Sequence, residues 1–411
     1  MKKLGVVVGS IAGIFLLMLA VLVGAHMARQ RLRDRSGPIQ FSDVPYVPTV
    51  ATVYPNSTAL GHSLVVPTMD TKMVKGKNVI WCASFQLAWN HLGTEVLHEP
   101  PAVANAEEIA AQLNGSKFSE DDLSSDCFYA TAGRCRDGIV DTIHEEMQRR
   151  FRRTPRIDLT NPEYVIVAYG YLDVSVPFAI PYCENPGEFL FTDSKGTKTS
   201  VTSFGTVPGG RSVCRKELRD QAKVLYCAYD EPMKPTREMT EFVIDPCRDS
   251  LPNQVILACV PPKETLQQTW DYVAQLIAAY PHQQFADERL DYTDCLLVPN
   301  MAWDITHHFT ALEGRDKLLK NKGSEGLYVA AAIQGICFRL DRSGVELRSE
   351  AAVAVCGIPR EFVFNRPYTI FIRKRDSAAP FFAMYVDNAE LLCKAATPSA
   401  VKSGKGNESR E

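Results

Sequence analysis

The second half of this chain is a succession of short strand-forming runs, and that succession limits its fold more than any other feature. The runs 165–174, 224–229, 255–260, 294–299, 328–340, 369–373 and 381–386 are rich in β-branched and aromatic residues. Such side chains fit a pleated, half-buried surface. Phe189–Thr192 and 197–204, joined by Ser194-Lys195-Gly196, read as a hairpin. One segment breaks the pattern. After Arg342 the chain reads SGVELRSEAAVAVCGIP before the strand-forming residues resume at Arg360. A glycine and a small-residue stretch stand between two pieces of sheet.

Helical periodicity is concentrated earlier. Residues 78–93 begin strand-like and turn helical, with Ala83, Leu87 and His91 at i, i+4 spacing and Gly93 as a stop. Residues 105–113 and 137–151 read as amphipathic helices. So does 265–280, through Leu266, Trp270, Val273 and Ile277. Helices first, then many strands with few helices between them, predicts an α+β protein with large mixed β-sheets. The chain has 411 residues and a net charge of −3, with no basic block beyond the extreme N-terminus. That excludes a dedicated nucleic-acid binder.

Lys2 and Lys3 precede a charge-free apolar run from Gly5 to Ala25. About 20 apolar residues span a bilayer core, so the run predicts a transmembrane signal anchor. A cleaved signal peptide ending at Val23-Gly24-Ala25 is the alternative and would yield a secreted protein. Arg29, Arg31, Arg33 and Arg35 follow the run and by charge alone would hold the large domain in the cytoplasm. Twelve cysteines point instead to an extracytoplasmic domain, where disulfides persist. Asn56-Ser-Thr, Asn114-Gly-Ser and Asn407-Glu-Ser are glycosylation triplets. The expected organisation is an anchor with its basic flank over 1–35, a proline-rich stalk over 36–77, a domain over 78–393 and a polar tail over 394–411.

Several patches, taken in order, resemble the serpins, the serine protease inhibitor family. The strongest is FNRPYTIFIRKRDSAAPFFAMYVDN (364–388), which looks like that family's final strand pair. ICFRLDRSGVEL (336–347) looks like the strand that feeds the hinge of the exposed loop. NVIWCASF (78–85), VIVAYGYLDVSVPF (165–178), FTDSKGTKTSVTSFG, NQVILACVPPKETLQQTWDYV and DYTDCLLVPNMAWDITHHFTALEG fit segments between them. The resemblance implies a reactive-centre loop that a protease cleaves and that then inserts into the main sheet. Its partners would be a target protease or another protein ligand, with no cofactor.

On that alignment Gly344, Val345, Glu346, Leu347, Ser349 and Ala351 form the hinge. Cys356, Gly357, Ile358, Pro359 and Arg360 form the scissile window. Asn78, Cys82, Val174 and Gln334 lie where the sheet opens. Strand alternation would turn Val345, Leu347, Ser349 and Ala351 inward and keep the charges of Glu346, Arg348 and Glu350 outward. The departures bear on function. Leu347, Arg348 and Glu350 interrupt the small-residue run, Gln334 stands where the family often has histidine, and Val174 stands where tryptophan is common. The stretch from Gly93 to Val165 is too short for all the helices that the family has there. The expected function is a non-inhibitory or degenerate serpin that binds protein; the alternative is an active inhibitor of a serine or cysteine protease.

Other constellations are weaker. Cys82, at a helix start with His91 downstream, could be a thiol nucleophile, but the flanking papain-type pattern is missing and a buried structural cysteine is expected. His307-His308 lacks carboxylate or cysteine partners at metal-ligand spacing, so no metal is expected. Cys127 and Cys135 are the expected disulfide pair. Without a CxxC, P-loop or GxGxxG motif, an enzyme is not expected.

Overall fold

The computed structural model describes residues 50–155, 166–206, 216–228, 237–280, 288–291, 294–324, 326–343 and 360–395. Contacts divide the chain into two units, 1–47 and 48–411; the first lies outside the described residues. In chain order the strands begin with Thr52–Tyr54 (β1), Ser63–Val65 (β2) and Asn78–Cys82 (β3), followed by helix α1 (Ala83–His91) and α2 (Glu107–Asn114). Phe128–Arg134 (β4), α3 (Ile139–Phe151) and Ile166–Leu172 (β5) come next. Cys183–Glu184 (β6), Phe189–Thr192 (β7), Lys198–Val201 (β8) and Ser203–Thr206 (β9) precede a short α4 (Lys216–Asp220). Then come Lys223–Ala228 (β10), Arg237–Glu238 (β11), Glu241–Asp245 (β12), Asn253–Cys259 (β13) and α5 (Leu266–Ala279). Cys295–Pro299 (β14), Met301–His308 (β15), Ile333–Leu340 (β16), Arg360–Val363 (β17), Tyr368–Lys374 (β18) and Pro380–Val386 (β19) complete the set.

The expected α+β class with mixed sheets is the observed one. Seven strands pair in the order β10-β12-β13-β18-β19-β3-β2. They are antiparallel except for the parallel edge pair β2 and β3. Every residue of β3, β13 and β19 is buried, which is why these strands read as continuous apolar runs rather than alternating ones. Helix α5 covers part of this sheet. Thr265 caps its N-terminus by accepting from the Gln268 N–H, and Trp270 packs on Phe371 with ring centroids 5.1 Å apart. A five-stranded sheet, β11-β17-β14-β9-β6, stands beside it. There a Cβ on Gly205 would lie 1.7 Å from the Leu296 carbonyl oxygen, so the β9–β14 pairing tolerates only glycine at that point.

Of the three remaining assemblies, which include the hairpin β7-β8, two matter most. One is β1-β15-β16 and the other is the pair β4-β5. Along β5, Ile166, Ala168 and Leu172 pack against the main core, while Val167, Tyr169 and Tyr171 join Ile143 and Met147 of α3 in a second, smaller core. The period-two alternation of the strand puts α1 on one face and α3 on the other. Gly170 is the closest approach to α1: a Cβ there would meet the Ser84 carbonyl oxygen at 2.0 Å.

Three expectations are corrected. The described part of the supposed stalk is woven into the domain: β1 pairs with β15, β2 pairs with β3, and Leu60, Val65, Val66 and Met69 are core residues. Its prolines punctuate short strands instead of holding the chain away from the fold. Cys127 and Cys135 are both free thiols. They stand at opposite ends of the seven-residue β4, about 25 Å apart along an extended strand, whereas a disulfide needs Cα atoms within about 7 Å. No disulfide is seen among the described residues. Finally, no helix among the described residues is long and apolar enough to cross a membrane. The longest, α5, has 14 residues, about 21 Å, against a bilayer core of about 30 Å. The apolar run from Gly5 to Ala25 lies outside the described residues, and the expectation of a single-pass membrane protein is not carried forward.

Candidate functional site, a seam between two sheets

β5 and β16 belong to different sheets, and no ladder joins them. Each uses one edge, β5 on β4 and β16 on β15. The result is a seam whose floor is helix α1.

The mouth of the seam is latched. The Tyr182 N–H donates to the Arg342 carbonyl oxygen at 2.9 Å, and Arg342 Nε donates back to the Tyr182 carbonyl oxygen at 3.0 Å. Tyr182 is itself fixed, fully buried with its hydroxyl donating to the Pro246 carbonyl oxygen at 2.8 Å. Deeper in the seam, Gln334 projects from β16 towards the junction of β3 and α1. Its Nε2 donates to the Cys82 carbonyl oxygen and to Ser84 Oγ, both at 2.9 Å. Cys82 Sγ lies 3.6 Å from Ser84 Oγ. Burial pushes the Cys82 thiol above its usual range, outweighing the bonds from Ser84. It is therefore a protonated thiol at neutral pH, without the thiolate character that a nucleophile needs.

Of the four residues assigned to the opening region, Cys82 and Gln334 meet here. Val174 is half-buried against the main core. Asn78 serves a different junction. Its Oδ1 accepts from the N–H groups of Asp387 and Asn388 at 2.8 and 2.9 Å, and its Nδ2 donates to Ser63 Oγ and Asn388 Oδ1. It ties the first strands to the turn that follows β19.

The hinge residues Gly344, Val345, Glu346, Leu347, Ser349 and Ala351 lie outside the described residues, as do Cys356, Gly357, Ile358 and Pro359 of the scissile window. Arg360 is described. It opens β17 as a buried side chain whose Nη2 and Nε donate to Asp294 Oδ2 at 2.7 and 3.0 Å, while its N–H donates to Asp294 Oδ1 at 2.8 Å. The stretch 344–359 thus runs from a latched Arg342 to a clamped Arg360. Sequence reasoning missed Ser84, Tyr182, Arg342 and Asp294. The Tyr182–Arg342 latch is built largely from backbone groups, which leave no mark in a sequence. His307, named as half of a possible metal pair, accepts from or donates to Ser57 Oγ at 2.7 Å, while His308 pairs with Glu313. Burial, followed by the neighbouring His308, lowers the His307 pKa to about 4.

No family model matches the chain, and no curated protein matches it. Solved structures do. The chain is similar to human glycosylated kallistatin, at 13% identity over 76% of this chain and 92% of that one, with a TM-score of 0.43. It is similar to the thermophilic serpin tengpin in its native state, at 13% identity over 77% of this chain and 90% of that one, with a TM-score of 0.44. It is also similar to thyroxine-binding globulin in complex with thyroxine, at 13% identity over 76% of this chain and 93% of that one, with a TM-score of 0.40. These structures are serpins, the family that the sequence patches resemble.

Proposed function

We propose that this chain is a serpin-like member of the protease-inhibitor superfamily that does not inhibit by loop insertion and instead works as a protein-binding module. The observation that carries this reading is the length of the seam. β5 has seven residues and β16 has eight, so the edges that face the seam extend about 23 and 26 Å. The stretch 344–359, fully extended, would reach about 50 Å. An inserted strand would find ladder partners for about half its length. Each buried backbone group left unpaired costs about 1–3 kcal/mol, so complete insertion lacks the driving force that trapping a protease requires.

Below β16 the chain is already bonded elsewhere. The Phe309 N–H donates to the Ala332 carbonyl oxygen, the Gly314 N–H to that of Val329, and the Val329 N–H to that of Lys317. Glu313 Oε1 accepts from the Ala332 N–H at 2.7 Å. The clamps at Arg342 and Arg360 support the same reading, because a segment pinned at both ends is suited to display. No catalytic role is proposed, since the candidate nucleophile Cys82 is a buried, protonated thiol. The domain boundaries proposed are a folded unit that starts near residue 50 and a polar tail from 394.

Single cleavage of the full chain between Cys356 and Arg360, followed by thermal melting, tests the proposal. The melting temperature is expected to stay within about 3 °C of the uncut protein, the shift that about 1 kcal/mol makes in a domain of this size. A rise of more than about 10 °C would mean that the freed loop inserts, and the inhibitory reading would replace this one.

A further inference from the structure

The C-terminal end of α3 carries a feature that neither the seam nor the stretch 344–359 uses. Residues 149–153 read Arg-Arg-Phe-Arg-Arg, four arginines in five positions of a chain whose net charge is −3. The helix stops inside this run. Phe151 is its last residue, and Arg152 caps it in the left-handed region at φ 56°. Arg152, Arg153 and Thr154 are then exposed one after another, between half-buried Phe151 and buried Pro155. Arg152 makes no hydrogen bond or ion pair with any described residue, and Arg153 lies beside the Tyr171 hydroxyl near the end of β5. Arg150 differs: its Nη2 donates to the Ser125 and Phe128 carbonyl oxygens, both at 2.7 Å.

Adjacent exposed arginines are what an endoprotease with acidic subsites reads, because each guanidinium is held by charge complementarity. Among the described residues the other run of adjacent basic residues is Arg373-Lys374-Arg375, and it is closed. Arg373 and Lys374 pair with Gln254 and Asn253 of β13. Arg373 Nε donates to Gln254 Oε1 at 2.9 Å and Arg375 Nη1 to Asp245 Oδ2 at 3.0 Å. A protease takes its substrate as an extended segment, so backbone held in a ladder is refused until it opens. At 152–154 it is the last turn of α3 that must fray, as helix ends do, and the bonds of Arg150 set the limit of that opening. We propose that the Arg153–Thr154 peptide bond is a processing site for an endoprotease specific for paired basic residues. The oxygen of a water joins the Arg153 carbonyl carbon and the C–N bond breaks. Both protons of that water end on the Thr154 nitrogen, leaving a carboxylate and an ammonium group. The cut separates α3 from β5 in the chain. The β4–β5 ladder, from Phe128 with Leu172 to Arg134 with Ile166, spans it, so the two pieces stay in one body. The proposal is independent of whether the stretch 344–359 inserts.

Digestion of the folded full chain with a subtilisin-type endoprotease specific for paired basic residues, followed by mass mapping of the new N-termini, tests this. Thr154 is expected as a new N-terminus, formed at least about tenfold faster than Arg375 or Asp376, whose strand must first leave the sheet. The two pieces should co-elute in gel filtration and separate in denaturant. Arg153→Gln, at an exposed position, should slow the cut by at least about tenfold and leave the melting temperature unchanged. A free peptide of residues 147–158 serves as the control for sequence alone. A cut peptide with an uncut folded chain would mean that the fold hides the bond. An uncut peptide would mean that the arginines are not a recognition element. Equal rates at Thr154 and at Arg375 or Asp376 would mean that exposure does not select the site. Each of these three results overturns the proposal.

Discussion

The seven-stranded sheet and the seam are made from the same kinds of residue and behave as opposites. In the sheet, β13 lies between two antiparallel neighbours, β12 and β18, and β19 between β18 and β3. Their side chains are buried on both faces. At the seam, β5 and β16 each keep one edge out of any ladder, and their flanking groups are only partly buried. The difference shows what completes a sheet. Strand-forming composition is present in both places; what the seam lacks is a strand of matching length between its two edges.

Three changes probe that comparison. Phe371→Ala empties a fully buried site in β18 opposite Trp270 and should cost about 3–5 kcal/mol by chemical denaturation. Tyr169→Ala, on half-buried β5, should cost less than half as much. Equal losses would break the distinction between closed sheet and open seam. Gly170→Ala should cost about 1–3 kcal/mol. The new methyl meets backbone, the Ser84 carbonyl oxygen, and so must push β5 off α1. The readout is faster amide exchange along β5, with β13 unchanged.

A pH dependence is expected on the central strand of the seam sheet. His307 has a pKa near 4 in the fold, against 6.5 as its ordinary value. The unfolded chain therefore takes up this proton first as pH falls. The contribution of His307 is complete above about 6.5 and is lost progressively between 6.5 and 4. His307→Gln should flatten the stability profile across that window while leaving stability near pH 8 little changed. An unchanged slope would remove His307 from the account.

Legibility in the sequence followed the same division. The runs at 255–260 and 381–386 match β13 and β19 because strands buried on both faces announce themselves by unbroken apolar sequence. β15, Met301–His308, was not read as a strand. Asp304, His307 and His308 interrupt its apolar character, and only its pairing with β1 and β16 holds it. The run 328–340 was expected to be one strand, but its first residues bond to 309–319 and the strand begins at Ile333. Composition favours extension there, and tertiary partners decide against it. At the site, Cys82 and Gln334 were legible through family resemblance alone. The Tyr182–Arg342 latch and the Arg360–Asp294 clamp join residues too far apart in sequence for local pattern to reveal.

Asn78 has a consequence for how the protein is made. It holds the backbone N–H of Asp387, 309 residues away, and β3 pairs with β19 along its length. Until the residues through Val386 have been synthesised, β3 has only β2 beside it, and the largest sheet among the described residues stays divided. Folding of this sheet is thus set by its most distant contacts, the regime in which chains fold slowly and exposed strand edges aggregate. Truncation before Pro380 would remove β19 and leave β3 with β2 as its one neighbour.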